Sequence, residues 1–288
     1  MNETSDPEVS ELTKADVDAL WSRSKTPPGR VPSLSGLWSA RYLVERNARA
    51  YRHNLLLIIS GFFEPVFFLF SLGIGIGALV GDVQFEGRSV SYQEFVAPAL
   101  MAASAMNGAI IDSTFNVFWK LKYARLYDSI LATPLGPRSI AVGETAWSLL
   151  RGAGYASAFL VVLLVAGYIR SWWAVLALPA ALLIGLAFAG AGMAATTFMR
   201  SWQDFDLIQL VQLPMFLFSA TFYPVATYPE ALQIVVKLTP LYHGVALERD
   251  LLLGVIGWDV LVHIGYLAAL GAIGIVITGR RLERLLLS

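Results

Sequence analysis

"YDSILATPLGPRSIAVGE", residues 127–144, interrupts a chain that is otherwise mostly apolar, and its reading decides how the remainder is laid out. Trp119, Tyr123, Leu126, Tyr127 and Ile130 recur at helical spacing, with Lys120, Lys122, Arg125, Asp128 and Ser129 mostly on the other face. This pattern predicts a short amphipathic helix over about 119–132. Thr133 and Pro134 stop it, and Gly136-Pro137 turns the chain. Pro137 suits the first position of a new helix, where its missing N–H costs nothing. The new helix runs to about residue 168, roughly 45 Å at 1.5 Å per residue, which exceeds a hydrocarbon layer of about 30 Å. Its first turns must therefore project and bring Glu144 to headgroup level. The stretch is an amphipathic handle, a stiff elbow and the foot of an apolar helix.

The whole chain has 288 residues, 56% hydrophobic and 15% charged, with a mean hydropathy of +0.61. That composition belongs in a bilayer. A formal net charge of zero offers nothing to a polyanion, so no nucleic-acid partner is expected. The absence of cysteine excludes disulfides, thiolate metal sites and cysteine nucleophiles. His53, His243 and His263 show no ligand spacing, and His263 reads as a lone packing histidine; no metal is expected. No catalytic or cofactor-binding residue is assigned.

Six apolar segments are expected to cross the bilayer as helices, at about 55–80, 95–118, 140–168, 172–199, 205–225 (interrupted by Pro214 and Pro224) and 260–278. Bases cluster before the first span (Arg41, Arg46, Arg49, Arg52), between the second and third (Lys120, Lys122, Arg125, Arg138), after the fourth (Arg200) and after the sixth (Arg280, Arg281, Arg284). The opposite loops are poor in bases: Arg88 faces three acids over 82–94, Arg170 stands alone, and the last holds Lys237 and Arg249. The positive-inside rule then puts both termini in the cytoplasm of a multi-pass cytoplasmic-membrane protein.

Residues 1–35 are polar with acids leading, and read as a flexible cytoplasmic tail rather than a signal peptide. Over 36–53, Leu37, Ala40, Val44, Ala48 and Tyr51 form one stripe opposite Glu45, Arg46, Arg49 and Arg52. Such a helix either lies flat in the headgroup layer, in contact with membrane lipid, or continues into the membrane. The transmembrane domain covers 54–279, and 280–288 is a short basic tail.

Within the spans, Glu64, Asp112, Glu144 and Arg151 all map to the cytoplasmic half, and Arg151 is expected to pair with one of the acids. That group is either a packing staple or part of transport. Gly73, Gly75, Gly77, Gly185, Gly190 and Gly192 read as packing seams. Four prolines (Pro214, Pro224, Pro229, Pro240) break the segment before the last span into re-entrant half-helices. Phe216, Phe218, Phe222 and Tyr223 there either form an outer gate or substrate surface or belong to the interfacial aromatic belt. No G-x-x-x-x-G-K-[ST] occurs, so the chain itself does not cradle a nucleotide.

Three stretches resemble the membrane subunits of type-2 ABC exporters, in particular the permeases of nodulation lipo-oligosaccharide exporters, with drug and polysaccharide permeases as relatives. They are "YDSILATPLGPRSIAVGETAW", "ALPAALLIGLAFAGAGM", and "PMFLFSATFYPV" with "TPLYHGVALERDLLLG". The resemblance implies an all-α six-span subunit with an N-terminal interfacial helix, a coupling helix in the first cytoplasmic loop and re-entrant helices before span six. It further implies pairing with a second permease copy or sister permease, and with ABC ATPase subunits that hold ATP-Mg. ATPase coupling would then fall to Tyr123, Leu126, Tyr127, Ile130, Thr133, Pro134, Pro137 and Glu144. The chain is accordingly expected to be no enzyme itself, but the permease of an exporter of an amphipathic substrate: a lipo-oligosaccharide, glycolipid or hydrophobic drug. The alternatives are a proton-coupled secondary transporter using Glu64, Asp112 and Glu144, and an integral membrane enzyme acting on lipids with the same acids as general acid and base.

Overall fold

Lipid offers a backbone no hydrogen-bond partners, so an apolar chain pairs its own N–H and C=O groups in helices. A computed structural model describes residues 36–51, 55–133 and 135–287; the expected tail over 1–35, residues 52–54, Pro134 and Ser288 lie outside it. The chain begins with α1 (Gly36–Tyr51) and α2 (Leu55–Val80). A hairpin follows, β1 (Asp82–Phe85) and β2 (Arg88–Ser91), with Phe85 opposite Arg88. Its two-residue turn, Glu86-Gly87, has φ of 47° and 73°, the left-handed pair that matches strand twist. This short hairpin is an addition to an otherwise helical chain, at a place where charge counting alone showed only a loop.

Ser91 ends the hairpin and caps α3 (Tyr92–Ile111): its hydroxyl accepts from the Glu94 N–H, while the Glu94 carboxylate accepts from the Ser91 N–H. A π-turn over Asp112–Asn116 carries α3 into α4 (Val117–Lys122). Arg125, at φ 43°, then adopts the left-handed conformation before α5 (Leu126–Leu131). The single helix expected over 119–132 is therefore two pieces meeting at a corner. Pro137 opens α6 (Pro137–Val165) at its first turn, behind Gly136 as N-cap. A 3-10 turn over Trp172–Leu176 leads to α7 (Ala177–Thr196), then α8 (Asp204–Phe218), α9 (Glu230–Leu238), α10 (Pro240–Leu253) and α11 (Asp259–Leu287).

Among the described residues, five helical runs are long and apolar enough to cross a membrane: Phe63–Val80, Tyr92–Lys122, Pro137–Val165, Trp172–Thr196 and Asp259–Leu285. The chain is a multi-pass membrane protein. The segment expected to cross at 205–225 differs. Pro214 stays inside α8, and the helix stops instead at Ser219, where Ala220 turns left-handed at φ 56°. The Ser219 and Thr221 hydroxyls donate to the Met215 and Phe216 carbonyls that the broken helix leaves open. Fifteen residues reach only about 22 Å.

α7 lies at the centre, packed on α3, α6 and α11. Its contact with α11 is backbone to backbone: a Cβ at Gly190 would sit 2.6 Å from the Gly271 carbonyl oxygen, and one at Gly274 would sit 2.3 Å from the Gly190 carbonyl carbon. The α2 glycines do something else. Gly73 and Gly77 lie under the Gln93 side chain, whose amide donates to the Gly73 carbonyl at 2.7 Å.

The N-terminal helix also turns out differently. α1 packs on the foot of α6 through Ala40, Leu43 and Asn47, whereas Ala48, on the expected apolar stripe, is exposed. The reason lies in the partner: Gly143 leaves a notch that Leu43 fills, and Asn47 finds a hydrogen-bond acceptor beside it.

Candidate functional site

The end of the bundle that carries α1, α5 and the foot of α6 is the basic end; the other is the hairpin end. At the basic end three helices meet on one carboxylate. Glu144 Oε2 of α6 accepts from Lys120 Nζ of α4 at 2.6 Å and from Asn47 Nδ2 of α1 at 3.2 Å. Glu144 is 4% exposed, so this pair is desolvated and geometrically fixed. Tyr127 of α5, only 1% exposed, lies beside the same carboxylate. Burial, and then the Glu144 charge, push its phenol well above the ordinary tyrosine value.

Tyr127 and Ile130 pack with Leu43, Val117, Ile140 and Leu282. The inner face of α5 is thereby bolted to α1, α4, α6 and α11. Tyr127 and Ile130 thus hold the handle rather than present it; the outward side consists of Arg125, Asp128, Ser129 and Ala132, with Leu126 at its edge. Thr133 donates to the Ile130 carbonyl at 2.5 Å and closes the helix. Pro134, at the centre of the expected elbow, lies outside the described residues. Tyr123 belongs to a second feature: it stacks on Trp119 at 5.2 Å and leans on Trp202 at 5.4 Å. Phe115, Phe118 and Phe205 extend this cluster, which ties the α3–α4 run to the start of α8.

Deeper in the bundle, Arg151 Nη2 meets Asp112 Oδ1 at 3.0 Å, and Asn116 donates to the same oxygen at 2.9 Å. Asp112 opens the π-turn, whose Ser113 carbonyl accepts from Thr196 at 3.0 Å. Glu64 does not join this group. It is exposed on α2 and accepts from Asn107 of α3 at 3.3 Å, while Gln212 of α8 donates to the Asn107 carbonyl oxygen at 2.8 Å.

This amide ladder opens on a cavity of about 230 Å³ lined by Glu64, Phe68, Asn107, Gln209, Gln212 and Phe216. On the far side of α8 lies a larger one, about 430 Å³, between α8 and the α3, α7 and α11 helices. It exists because no residue of α8 is buried: the helix stands off the bundle.

At the hairpin end, Phe216 packs on Phe68 and Phe222 at 6.1 and 5.2 Å, and Tyr228 receives Tyr223 at 4.8 Å and Phe218 at 6.3 Å. The residue that fixes this loop is Arg249, counted on sequence as a loop base but only 3% exposed. Its guanidinium lies 3.8 Å from the Phe95 ring centroid and donates to the Phe95 and Ala220 carbonyls at 3.2 and 2.9 Å. Its neighbour Glu248 is wholly buried, and neither carboxylate oxygen has a hydrogen-bond partner among the described residues. The signal was available: three successive charges on an apolar helix sweep about 200°, so one must face inward. His263 is not alone either. Its Nδ1 lies 2.8 Å from Nδ1 of His243, which stacks on Tyr266.

A family profile described as "ABC-2 type transporter" matches residues 39–253. The chain is 34% identical over 233 residues to "Nodulation protein J" of Rhizobium leguminosarum bv. viciae, covering 80% of this chain and 86% of that protein. It is 30% identical over 272 residues to "Nodulation protein J" of Sinorhizobium fredii, covering 93% and 100%. To the "Inner membrane transport permease YadH" of Escherichia coli it is 24% identical over 183 residues, covering 62% and 69%.

Proposed function

The chain belongs to the ABC-2 type transporter family, and on that premise we propose that it is the permease subunit of an exporter in the cytoplasmic membrane, driven by a separate ABC ATPase that holds ATP-Mg. The basic end is the cytoplasmic one, α8 with the returning α9 and α10 completes a sixth crossing, and two permeases, identical or sister, form the pathway. The cargo is an amphiphile.

One observation carries this reading: α5 is a short helix fastened on its inner face to α1, α4, α6 and α11 through Tyr127 and Ile130 and polar on its outer face. A loop with no mechanical task needs no such fastening. A partner pressing on Arg125, Asp128 and Ser129 moves α6 through the elbow and α4 through Lys120–Glu144. The proton-coupled alternative is less well supported, because Asp112 and Glu144 each face a base at salt-bridge distance, 3.0 and 2.6 Å.

The test is co-purification of the tagged chain with a candidate ABC ATPase from the same organism. Charge reversal on the outer face of α5, R125E with D128K, should abolish co-purification while the thermal stability of the permease is unchanged. Undiminished co-purification and ATPase stimulation would overturn the assignment of this face.

A further inference from the structure

Helix α8 stops at Phe218 although nothing in the local sequence stops it. No glycine or proline occurs between Met215 and Tyr223, and Ala220 takes the left-handed conformation at φ 56°, which costs an alanine what it does not cost a glycine. Side chains hold the break instead. Ser219 donates to the Met215 carbonyl at 2.6 Å, Thr221 to the Phe216 carbonyl at 2.8 Å and Tyr228 to the Leu217 carbonyl at 3.4 Å. From α10, Arg249 donates to the Ala220 carbonyl at 2.9 Å, and the Thr239 hydroxyl that caps α10 lies 2.9 Å from that of Ser219. Ser219, Ala220, Thr221 and Arg249 are all buried. In an unbroken helix the Phe216 and Leu217 carbonyls would accept from the Ala220 and Thr221 N–H groups; here two hydroxyls stand in for those donors.

We propose that Ser219-Ala220-Thr221 is a two-state latch on the length of α8. In the short form, the one described above, Arg249 and the hydroxyls hold the helix at fifteen residues, about 22 Å. In the long form Ala220 returns to the right-handed region and the helix runs on to Phe222. The added turn brings it to about 28 Å, close to the thickness of the hydrocarbon layer. It ends there because Tyr223 precedes Pro224, a position that disfavours helix. The exchange is nearly balanced: N–H donors replace hydroxyls at two carbonyls, and relief of the left-handed alanine offsets the loss of the Arg249 bond. Two arrangements of similar free energy are what a switch requires. Extension also separates Phe222 from Phe216, whose rings now meet at 5.2 Å. On a continuous helix these residues lie about 120° apart and about 9 Å along the axis, so the contact is lost. Phe216 lines the 230 Å³ cavity, and the long form uncovers that wall. Arg249 is a positioning residue, selecting the short form through a backbone carbonyl without lining the cavity.

The latch stands apart from the exporter reading, since its readout belongs to the permease chain alone. The chain has no cysteine, so Ala226→Cys, at an exposed position just past the break, gives a single attachment point for a trifluoromethyl label. Fluorine NMR of the labelled full chain in nanodiscs should show two resonances, one for each form. Ala220→Gly makes the left-handed position free and weakens the helical alternative, and should move the ratio at least tenfold towards the short form. Thr221→Val, close in shape, leaves the Phe216 carbonyl without its hydroxyl donor in the short form only, and should move the ratio about tenfold the other way. Arg249→Lys keeps the buried cation but does not reproduce the two-carbonyl fork, and should move it in the same direction as T221V.

Melting temperatures measured on the same samples separate a latch from a fixed cap. A fixed cap predicts that T221V and R249K lower the melting temperature while every variant keeps one resonance, and that outcome would overturn the latch. Two resonances whose ratio moves in the same direction for A220G and T221V would overturn it as well. Opposite movements, with A220G nearest to a single resonance, are the result expected. Loss of the latch with ATPase co-purification intact would leave the exporter reading standing, and the reverse outcome would leave the latch standing without it.

Discussion

Substituting Glu144 by Gln preserves the shape of the side chain and removes the charge that Lys120 faces at 2.6 Å, in a pair whose side chains are 13% and 4% exposed. Removing one member of a buried pair costs about 3–5 kcal/mol, chiefly because the other charge stays behind in poor solvent. Lys120 keeps a narrow path to water, so E144Q should fall at the low end, about 3 kcal/mol. K120M leaves Glu144 buried without its base, with Asn47 donating and the Tyr127 phenol beside it, and should cost at least as much. The double variant K120M/E144Q strands nothing. Its cost should be less than the sum of the singles by about 2 kcal/mol or more, the coupling typical of groups in one network. The assay is reversible unfolding of the purified permease in mixed micelles, run as a double-mutant cycle. In the proposed complex with an ABC ATPase, the double variant should leave ATP hydrolysis by the partner intact but move less substrate per ATP, because the α4–α6 link is gone while the fold is restored. Additivity within about 0.5 kcal/mol would refute the claim that Lys120 and Glu144 act as one link.

Other consequences follow from single positions. Tyr127→Ala should cost about 3–5 kcal/mol of stability, since the ring is 1% exposed, whereas Leu126→Glu, at the edge of the same cluster, should cost clearly less and weaken co-purification with the proposed ATPase. Gly274→Ala puts a Cβ 2.3 Å from the Gly190 backbone, where no side-chain rotation relieves it; the resulting separation of α7 and α11 should lower stability by about 1–3 kcal/mol, measured by the same unfolding assay. Asp204 accepts from the Arg200 and Ser201 N–H groups at 2.6 and 3.1 Å, and these bonds lower its pKa. A lowered carboxylate stabilises the fold above its ordinary value and loses that effect as pH falls through the lowered one. Asp204→Ala should therefore show a stability deficit at neutral pH that disappears in acid, read as convergence of the two melting curves.

What the sequence disclosed and what it hid divide along a physical line. Local periodicity and backbone chemistry were readable: Pro137 begins α6 because a first helical residue needs no N–H, and the aromatic spacing around Tyr127 marks an amphipathic turn. Partner-dependent features were not. The buried face of α1 is chosen by the notch at Gly143 and by Glu144, about a hundred residues away along the chain. Helix α8 ends at Ser219 and not at Pro214, because a helix carries one missing N–H more easily than it resists hydroxyls capping its last carbonyls. The hairpin turn is Glu-Gly, lacking the Asn or Asp that announces a left-handed pair. For Arg249 the run of three charges hinted at an inward-facing residue, but the two carbonyls and the Phe95 ring that receive it come from distant segments and could not be named.

Those same contacts distribute stiffness unevenly, and the distribution bears on mechanism. The α7–α11 seam is backbone against backbone at Gly190, Gly271 and Gly274, where a small displacement costs many contacts at once. Helix α8 has no buried residue; Gln212 ties it to Asn107 midway, the Phe205–Trp202 rings hold one end, and Phe216 holds the other. Elements with few buried contacts are the ones that move at low free-energy cost. A force entering at α5 meets α6 and α4 first, through Tyr127 and Glu144, and the α3–α4 run is continuous with the Phe115 and Phe118 rings that grip the start of α8. On the proposed reading the stiff seam is the frame against which α8 would shift, and because both cavities are bounded by α8 such a shift would change them together.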